Sequence, residues 1–218
     1  MSSEVFIGID TSNYTTSYAI IDREGALVAN LKRPLPVKAG ECGLRQSDAV
    51  FAHVKNLPDL AVEAGEILKN KKILAVGVSR RPRNIEGSYM PCFLPGVAVS
   101  ENISAVLGVP LYSFSHQCGH IMAAVFSSGH SELLDKPFAA YHVSGGTTEL
   151  VSVSYHHDGF YTELLGGTSD LNAGQIIDRI GVKMGLPFPA GRYIEELALS
   201  NTARVPLRKP SVRGMQIN

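Results

Sequence analysis

Residues 4–22 read EVFIGIDTSNYTTSYAIID, and no other stretch says as much about the fold. An apolar run ends in the acid Asp10, a turn is expected near Ser12–Tyr14, and a second apolar run follows. Residues 24–33, EGALVANLKR, continue the pattern after a turn near Asp22–Gly25. Short β-branched runs bounded by turn residues predict strands. The chain is therefore predicted to begin with a three-stranded meander in which Asp10 stands at the exit of the first strand.

Helices and strands alternate after the meander. The segment SDAVFAHVKNLPDLAVEAGEILKN is predicted to be helical, with Ser47 as its N-cap and an interruption at Pro58. The next segments are a buried strand KKILAVGVS, a helix PGVAVSENISAVLG, a strand PLYSFS and a helix HQCGHIMAAVFSS. This order predicts an α/β fold with a mixed sheet and helices on its faces.

The pattern restarts after the polar, turn-rich segment HSELLDKP at residues 130–137. A strand, a glycine turn and two more strands follow, so the two halves of the chain begin alike. We place a domain boundary in this segment. The predicted domains are residues 1–129 and residues 136–218, and the second is expected to be incomplete because no later strands are predicted in it.

Two helices are predicted in the second half, one from about Asn172 to Met184 and one in the segment RYIEELALS. In the first of them, Ile176, Ile177 and Ile180 are predicted to form the buried stripe.

Composition limits the function classes. The 218-residue chain is formally neutral, with 44% hydrophobic and 18% charged residues, which is typical of a globular enzyme or binding protein. Neutrality disfavours a strongly basic nucleic-acid-binding protein. No apolar run approaches the ~20 residues of a membrane span, and the amino terminus lacks the pattern of a secretory signal. Three cysteines without paired spacing disfavour a disulfide framework, so the expected location is the cytoplasm.

Two histidines, His116 and His120, lie four residues apart in a predicted helix. This spacing puts both side chains on one face, where two imidazoles can bind one metal ion. Two ligands do not complete a metal site, and surface or capping histidines are the alternative. A metalloprotease of the HExxH type needs a glutamate after the first histidine. Gln117 occupies that position and cannot act as a general base, so a metalloprotease of this type is disfavoured.

Ser144, Gly145 and Gly146 follow an apolar strand and precede Thr147 and Thr148. Glycines let backbone N–H groups approach phosphate oxygens closely, and the hydroxyls can add hydrogen bonds. The segment is therefore a candidate phosphate-binding turn. An ordinary hairpin with a glycine turn is the alternative.

Three single residues are further candidates. Asp10 can orient a metal or a water molecule, or it can cap a turn through its side chain. Asp178 can reach a ribose hydroxyl, or it can be a solvated helix residue. Gly191 precedes a predicted helix and can present its N–H to a nucleotide, or it can be a turn glycine.

A cluster of arginines, Arg80, Arg81 and Arg83, follows a predicted strand. A loop that carries several arginines can bind phosphate or an RNA backbone. A solvated charge cluster is the alternative.

Together these segments resemble the TsaD family, the tRNA threonylcarbamoyladenosine synthases once called O-sialoglycoprotein endopeptidases or glycoproteases. The matching text is IGIDTS at 7–12, HQCGHIMAA at 116–124, VSGGTTELVSV at 143–153, and LLGGTSDLNAGQIIDRIGVKMGLPFPAG at 164–191. The last segment is the most specific, and the resemblance spans nearly the whole chain, although the family is longer.

The resemblance implies an α/β fold of the actin/Hsp70/sugar-kinase type, with two ribonuclease-H-like domains and a nucleotide cleft between them. The implied activity is transfer of a threonylcarbamoyl group from its adenylate to the amino group of an adenosine in tRNA. Cofactors would be a divalent metal, iron or zinc, and ATP or a carbamoyl-adenylate. Implied partners are tRNA, proteins of the TsaB and TsaE kinds and a second copy in a homodimer, with no membrane partner.

The resemblance also implies roles for individual residues. It makes His116 and His120 metal ligands, and Asp10, at the exit of the first strand, is the predicted catalytic residue. It lines the phosphate or carbamoyl-adenylate with Val143, Ser144, Gly145 and Gly146, and holds the nucleoside with Asp178 and Gly191.

Several positions depart from the family pattern. Tyr14 and Thr15 stand where the family has an Asp-Glu pair, Cys118 where it has a glutamate, and Thr147 where it has a histidine. Residues 80–84, RRPRN, replace a glycine-proline-glycine loop, and a carboxyl-terminal part with a nucleotide-binding asparagine and a metal-binding aspartate has no counterpart. We therefore expect a diverged paralogue, shortened at its carboxyl end. A non-catalytic nucleotide- or partner-binding paralogue is the alternative, and a glycoprotein metalloendopeptidase is least favoured.

Overall fold

The computed structural model describes residues 3–38, 43–156, 159–203, 206 and 211–217. Contacts divide the chain into two compact units, and each is described by itself. The first comprises Met1–Pro36 with Leu44–Ser127, and the second comprises Val37–Gly43 with Ser128–Asn218. The ribonuclease-H-like assignment of the two domains stays a prediction.

The first unit is a five-stranded mixed sheet with helices, as the sequence predicts. The strand order is β3-β2-β1-β4-β5, in which β1, β2 and β3 are antiparallel neighbours and β4 and β5 continue parallel to β1. The elements are β1 (Glu4–Ser12), β2 (Thr15–Asp22), β3 (Leu27–Pro34), α1 (Gln46–Leu68), β4 (Lys72–Arg81), α2 (Leu94–Leu107), β5 (Leu111–Ser115) and α3 (His116–Ser128).

The core of the first unit follows the two-residue period of β1. Val5, Ile7 and Ile9 are buried on one face of the sheet, and Tyr18 and Ile20 of β2 join them. Alternate residues of a strand point to the same face, so a single register places the whole apolar set in the core. This register also determines which face Asp10 shares with its neighbours.

Helix α1 differs from its prediction at two positions. It runs without a break through Pro58, and its N-cap residue is Arg45, which makes no side-chain capping hydrogen bond, rather than Ser47. An interior proline costs ~3 kcal/mol. Leu57 and Leu60 are fully packed beside Pro58, and each buried leucine contributes about 1.5–3 kcal/mol. Core packing therefore outweighs the local preference for a break.

The second unit contains a sheet of order β6-β7-β8-β10-β9 and two helices. The predicted strand–turn–strand start and both helices are confirmed, but the expectation of no later strands is wrong. The elements are β6 (Phe138–Val143), β7 (Thr148–His156), β8 (Gly159–Thr168), α4 (Ala173–Lys183), α5 (Gly191–Ser200), β9 (Val212–Arg213) and β10 (Gln216–Ile217).

Two glycines explain how the late strands join this sheet. The Gly167 N–H donates to the Met215 carbonyl oxygen at 3.1 Å. A Cβ on Gly166 would lie 2.0 Å from the same oxygen, so only a glycine admits the chain here. Strands of two residues carry no periodicity, which is why the sequence pattern missed β9 and β10.

The apolar stripe of α4 is not buried, contrary to the prediction. Ile176, Ile177 and Ile180 are 40%, 40% and 52% exposed. The close contact of α4 lies elsewhere, at Gly181, where an added Cβ would be 2.2 Å from the Cβ of Ala190. The periodicity identified the helix correctly, but the described part of the second unit covers a different side of it.

No helix in the described ranges is both long and apolar enough to cross a membrane.

Candidate functional site

The predicted histidine pair lies at the start of α3. His116 is the first residue of the helix and His120 is one turn further on, so both rings lie on the same face. The two Nε2 atoms are 2.8 Å apart, and the ring centroids are separated by 4.3 Å. The expected shared face of the two imidazoles is therefore present.

Asp10 joins this pair. Its Oδ2 accepts a hydrogen bond from Nδ1 of His116 at 2.8 Å, and its Oδ1 accepts one from the Ser12 N–H at 2.8 Å. Asp10 thus caps the β1–β2 turn and orients His116 at the same time. Sequence reasoning treated these as alternatives and did not predict the contact with His116.

Sheet topology explains the meeting of Asp10 and His116. β1, β4 and β5 are parallel, so their carboxyl ends lie at the same edge of the sheet. Asp10 lies near the end of β1, and His116 directly follows the last residue of β5. Ligand-binding residues of α/β sheets gather at this edge, which is the signal that could have paired the two residues in advance.

The electrostatics favour an ionised Asp10. Burial raises the pKa of this carboxyl, but hydrogen bonds from His116, Ser79 and Ser12, with the charge of His116, outweigh burial and bring the pKa below its usual range. The carboxylate is therefore an acceptor for both of its donors at neutral pH. A neutral His116 beside this carboxylate carries its proton on Nδ1, and Nε2 is then the unprotonated nitrogen that faces His120.

The histidine pair fits two ligands of a metal site. An imidazole whose Nδ1–H is held by a carboxylate offers its Nε2 to a metal, and the two Nε2 atoms are close enough to reach one ion at about 2.0–2.1 Å each. The described residues contain no group of three histidine, cysteine or acidic side chains placed to hold a metal. Cys118 accepts a hydrogen bond from the Ser115 hydroxyl at 3.1 Å.

The Ser144–Gly146 segment forms the turn between β6 and β7. The Ser144 Oγ accepts hydrogen bonds from the N–H groups of Gly146 at 3.2 Å and Thr147 at 3.1 Å. The Ser144 N–H donates to the Thr147 carbonyl at 2.7 Å, which closes the turn. Two N–H groups of the predicted phosphate-binding turn therefore point at the serine hydroxyl. These donors are engaged within the turn, and its role as a phosphate site stays a prediction.

Helix α4 packs directly on this turn. A Cβ on Gly174 would lie 2.6 Å from the Ser144 carbonyl carbon and 2.7 Å from the Gly145 nitrogen. The Thr148 hydroxyl accepts the Ala173 N–H at 2.8 Å and so caps the helix from β7. Gly174 was not singled out from the sequence, and Thr148 was named only as a hydroxyl of the candidate phosphate-binding turn. A glycine in the first turn of a helix, where alanine is favoured, was the available signal.

Asp178 lies between the turn and the start of α5. Its Oδ1 accepts the Ala190 N–H at 2.8 Å, and its Oδ2 would be 3.9 Å from a Cβ on Gly145. Gly191, the first residue of α5, directly follows Ala190. The structure therefore brings Asp178 together with the glycine turn and the Gly191 segment. Val143, at the end of β6, is exposed on the same turn.

The arginine cluster is engaged in local contacts. Arg80 forms an ion pair with Glu101 at 2.9 Å and also donates to the Ser113 hydroxyl at 3.2 Å. Arg81 donates to the Asn84 amide oxygen at 3.1 Å. The loop touches the start of α3 through the Gln117 N–H, which donates to the Pro82 carbonyl at 3.0 Å. Binding of phosphate or RNA by this loop stays a prediction.

Comparison with solved structures concerns the fold. A ROK family protein from Streptococcus pneumoniae TIGR4, solved in complex with sucrose, matches with a TM-score of 0.51 and 15% identity over 90% of this chain and 68% of that one. The predicted fold class is confirmed: the chain has an α/β fold of the actin/Hsp70/sugar-kinase type.

Comparison with known sequences concerns the family. A relative from Sulfurihydrogenibium sp. (strain YO3AOP1), a tRNA N6-adenosine threonylcarbamoyltransferase, is 30% identical over 211 residues, which cover 94% of this chain and 58% of the relative. A relative of the same name from Streptococcus suis (strain 05ZYH33) is 29% identical and covers 91% of this chain and 56% of the relative. The chain thus spans a little over half the length of these relatives. The family model described as TsaD, tRNA N6-adenosine threonylcarbamoyltransferase, matches residues 41–217, and the chain belongs to this family.

Proposed function

We propose that this chain acts in metal-assisted transfer of a threonylcarbamoyl group from its adenylate to the amino group of an adenosine in tRNA. The observation that carries the proposal is the hydrogen-bonded series Asp10–His116–His120, because it presents two imidazoles on one face with one tautomer held by a carboxylate. Family membership supplies the reaction class.

The residues of the first unit would hold the metal, iron or zinc. His116 and His120 are its two ligands from this part of the chain, and Asp10 acts through His116 as a positioning residue. A metal bound there would polarise the carbamoyl-adenylate as a Lewis acid. To bind it, His120 must give up any proton on Nε2 that it shares with His116.

The residues of the second unit would bind the nucleotide, as ATP or as the carbamoyl-adenylate. Val143, Ser144, Gly145 and Gly146 would line its phosphate, and Asp178 and Gly191 would hold its nucleoside. The contact of Asp178 with the Ala190 N–H supports this assignment because it fixes the carboxylate beside Gly145. In the reaction, the adenosine amino nitrogen bonds to the carbamoyl carbon, AMP leaves, and the amine loses one proton.

A single-product assay tests the proposal. The chain is incubated with threonylcarbamoyl-adenylate and unmodified tRNA, alone and with proteins of the TsaB and TsaE kinds, and modified adenosine is measured by mass spectrometry. We expect modified adenosine from the wild type at neutral pH under reducing conditions and none from His120→Asn. The matched control His130→Asn, whose side chain is exposed in the second unit, should form as much product as the wild type. Absence of product in both arms contradicts the proposal.

A specific observation favours a second candidate, a non-catalytic paralogue that binds a nucleotide or a partner protein. Thr147 replaces the family's histidine, and its backbone N–H is used by Ser144 within the turn. Calorimetry with ATP distinguishes the two candidates. Heat of binding that is lost in Asp178→Ala, together with no transfer product, supports the binding paralogue. The third candidate, a glycoprotein endopeptidase, has no general base beside His116, since Gln117 is an amide and is buried.

A further inference from the structure

His53 is a buried histidine for which neither the sequence motifs nor the proposed reaction accounts. It lies in α1 with no exposed surface, and both of its ring nitrogens have partners. The Nδ1 atom is 2.8 Å from the Thr16 hydroxyl, and the Nε2 atom is 2.9 Å from the Ser12 carbonyl oxygen. A buried polar ring with both ends satisfied is costly to build and to disturb.

The partners of His53 determine its tautomer. The Ser12 carbonyl oxygen can only accept, so Nε2 must carry the proton. Nδ1 then accepts from the Thr16 hydroxyl, and the Asn56 side chain donates to that hydroxyl oxygen at 3.1 Å, which turns the Thr16 proton toward the ring. Burial lowers the pKa of His53, so the ring stays in the neutral form that this arrangement requires.

The hydrogen bonds continue from Ser12 to the candidate metal ligands. The Ser12 residue accepts from His53 through its carbonyl and donates to Asp10 Oδ1 through its N–H. Asp10 Oδ2 then holds Nδ1 of His116, whose Nε2 faces His120 at 2.8 Å. One series of hydrogen bonds therefore runs from α1, through the β1–β2 turn, to α3, all within the first unit.

We propose that His53 is a positioning residue for the His116–His120 pair, acting through Ser12 and Asp10. By clamping the Ser12 carbonyl, His53 fixes the turn whose N–H orients the Asp10 carboxylate, and the carboxylate selects the His116 tautomer that leaves Nε2 available. The inference rests on the proposed function for the role of His116 and His120 as metal ligands. Its test does not, because the tautomer of His116 can be measured without metal, substrate or turnover.

Two substitutions separate positioning from space filling. His53→Gln places an amide nitrogen near the former Nε2 position and can still donate to the Ser12 carbonyl. His53→Asn is one carbon shorter and reaches Thr16 but not Ser12. Both keep a neutral amide at the site, so a purely structural role would affect them alike. The surface change His130→Asn controls for the loss of one histidine signal.

Imidazole nitrogen NMR on chelator-treated, ¹⁵N-labelled protein provides the test. We expect His116 as the Nδ1–H tautomer in the wild type, in His53→Gln and in His130→Asn, and a substantial Nε2–H population in His53→Asn. Titration with Zn²⁺ alone should then show about tenfold weaker binding for His53→Asn than for His53→Gln, in the range of changes to residues that orient metal ligands.

An unchanged His116 tautomer in folded His53→Asn overturns the inference, as does a wild-type His116 with its proton on Nε2. Folding is checked from the dispersion of backbone amide signals. Should His53→Asn not fold, His53→Leu fills the site without a donor for the Ser12 carbonyl and carries the same expectation and the same contrary result. Failure of the tRNA assay with the expected tautomers contradicts the proposed function alone, and product formation with an unresponsive tautomer contradicts this inference alone.

Discussion

Asp10 and His116 are 106 positions apart in the sequence, yet Oδ2 of the one lies 2.8 Å from Nδ1 of the other. The contact exists because parallel strands β1 and β5 end at one edge of the sheet, and α3 begins where β5 stops. When His116 is neutral, this contact makes its Nδ1 the donor and leaves its Nε2 as the acceptor that faces His120.

Replacing Asp10 by Asn should weaken metal binding. The amide carries no charge to hold the Nδ1 proton of His116, so the tautomer that offers Nε2 becomes less populated. We expect Zn²⁺ affinity to fall by about 10–100-fold in a competition titration. Asp59→Asn makes the same chemical change on the exposed side of α1 and should leave the affinity unaltered. Equal affinities for wild type and Asp10→Asn would contradict a positioning role.

Acid should reduce the contribution of Asp10 to stability. Its pKa in the folded chain is below its unfolded value of about 3.9, so the contribution is fully present above that value and is lost as pH falls toward the folded pKa. The difference in free energy of unfolding between wild type and Asp10→Asn should therefore be larger at pH 7 than at pH 3. Urea unfolding with a chelator present measures it, and a difference that grows on acidification would show the opposite sign.

Gly174→Ala should destabilise the second unit although alanine favours helices. The added Cβ would meet the Ser144 and Gly145 backbone at 2.6 and 2.7 Å, and backbone cannot move aside cheaply. Overpacking of this kind costs about 1–3 kcal/mol, against a helix gain of about 1 kcal/mol. Gly191→Ala, with no heavy atom within 4 Å of its Cβ, is the control in the same unit. Urea unfolding followed by circular dichroism compares them, and equal midpoints would refute the close approach.

Removing the side chain of Asp178 should weaken nucleotide binding. Asp178→Ala frees the Ala190 N–H and loosens the segment that carries Gly191, whereas Asp178→Asn keeps an oxygen that can accept this N–H. We expect ATP affinity by calorimetry to fall about tenfold in the alanine variant, equivalent to 1.4 kcal/mol, and clearly less in the asparagine variant. Identical affinities for all three proteins would remove Asp178 from the site.

Local sequence patterns were sufficient to predict the shared face of the two histidines and the register of the first strands. The shared face of His116 and His120 follows from helix geometry alone, and the strand register of residues 4–22 follows from alternation. The contact of Asp10 with His116 was beyond such patterns because it depends on which strands are neighbours. The unbroken helix at Pro58 was missed for a related reason, since burial of the leucines beside it is a tertiary effect.

Glycine roles were predicted only in part. The turn at Gly145 and Gly146 was predicted from their place after an apolar strand, whereas the roles of Gly174 and Gly166 depend on the backbone atoms that approach them. A glycine in the sequence shows that the backbone carries no Cβ at that position, but it does not show which atoms pack against the backbone there.

The exposed isoleucines of α4 affect how the protein behaves in the test tube. Helix α4 exposes a hydrophobic stripe to solvent, formed by Ile176, Ile177 and Ile180. Concentrated samples should therefore bind hydrophobic dyes and resins and self-associate as salt rises, while mild detergent or a Lys substitution at Ile180 should restore colloidal stability. The salt and detergent content of the buffer will therefore affect every binding and activity measurement on this chain.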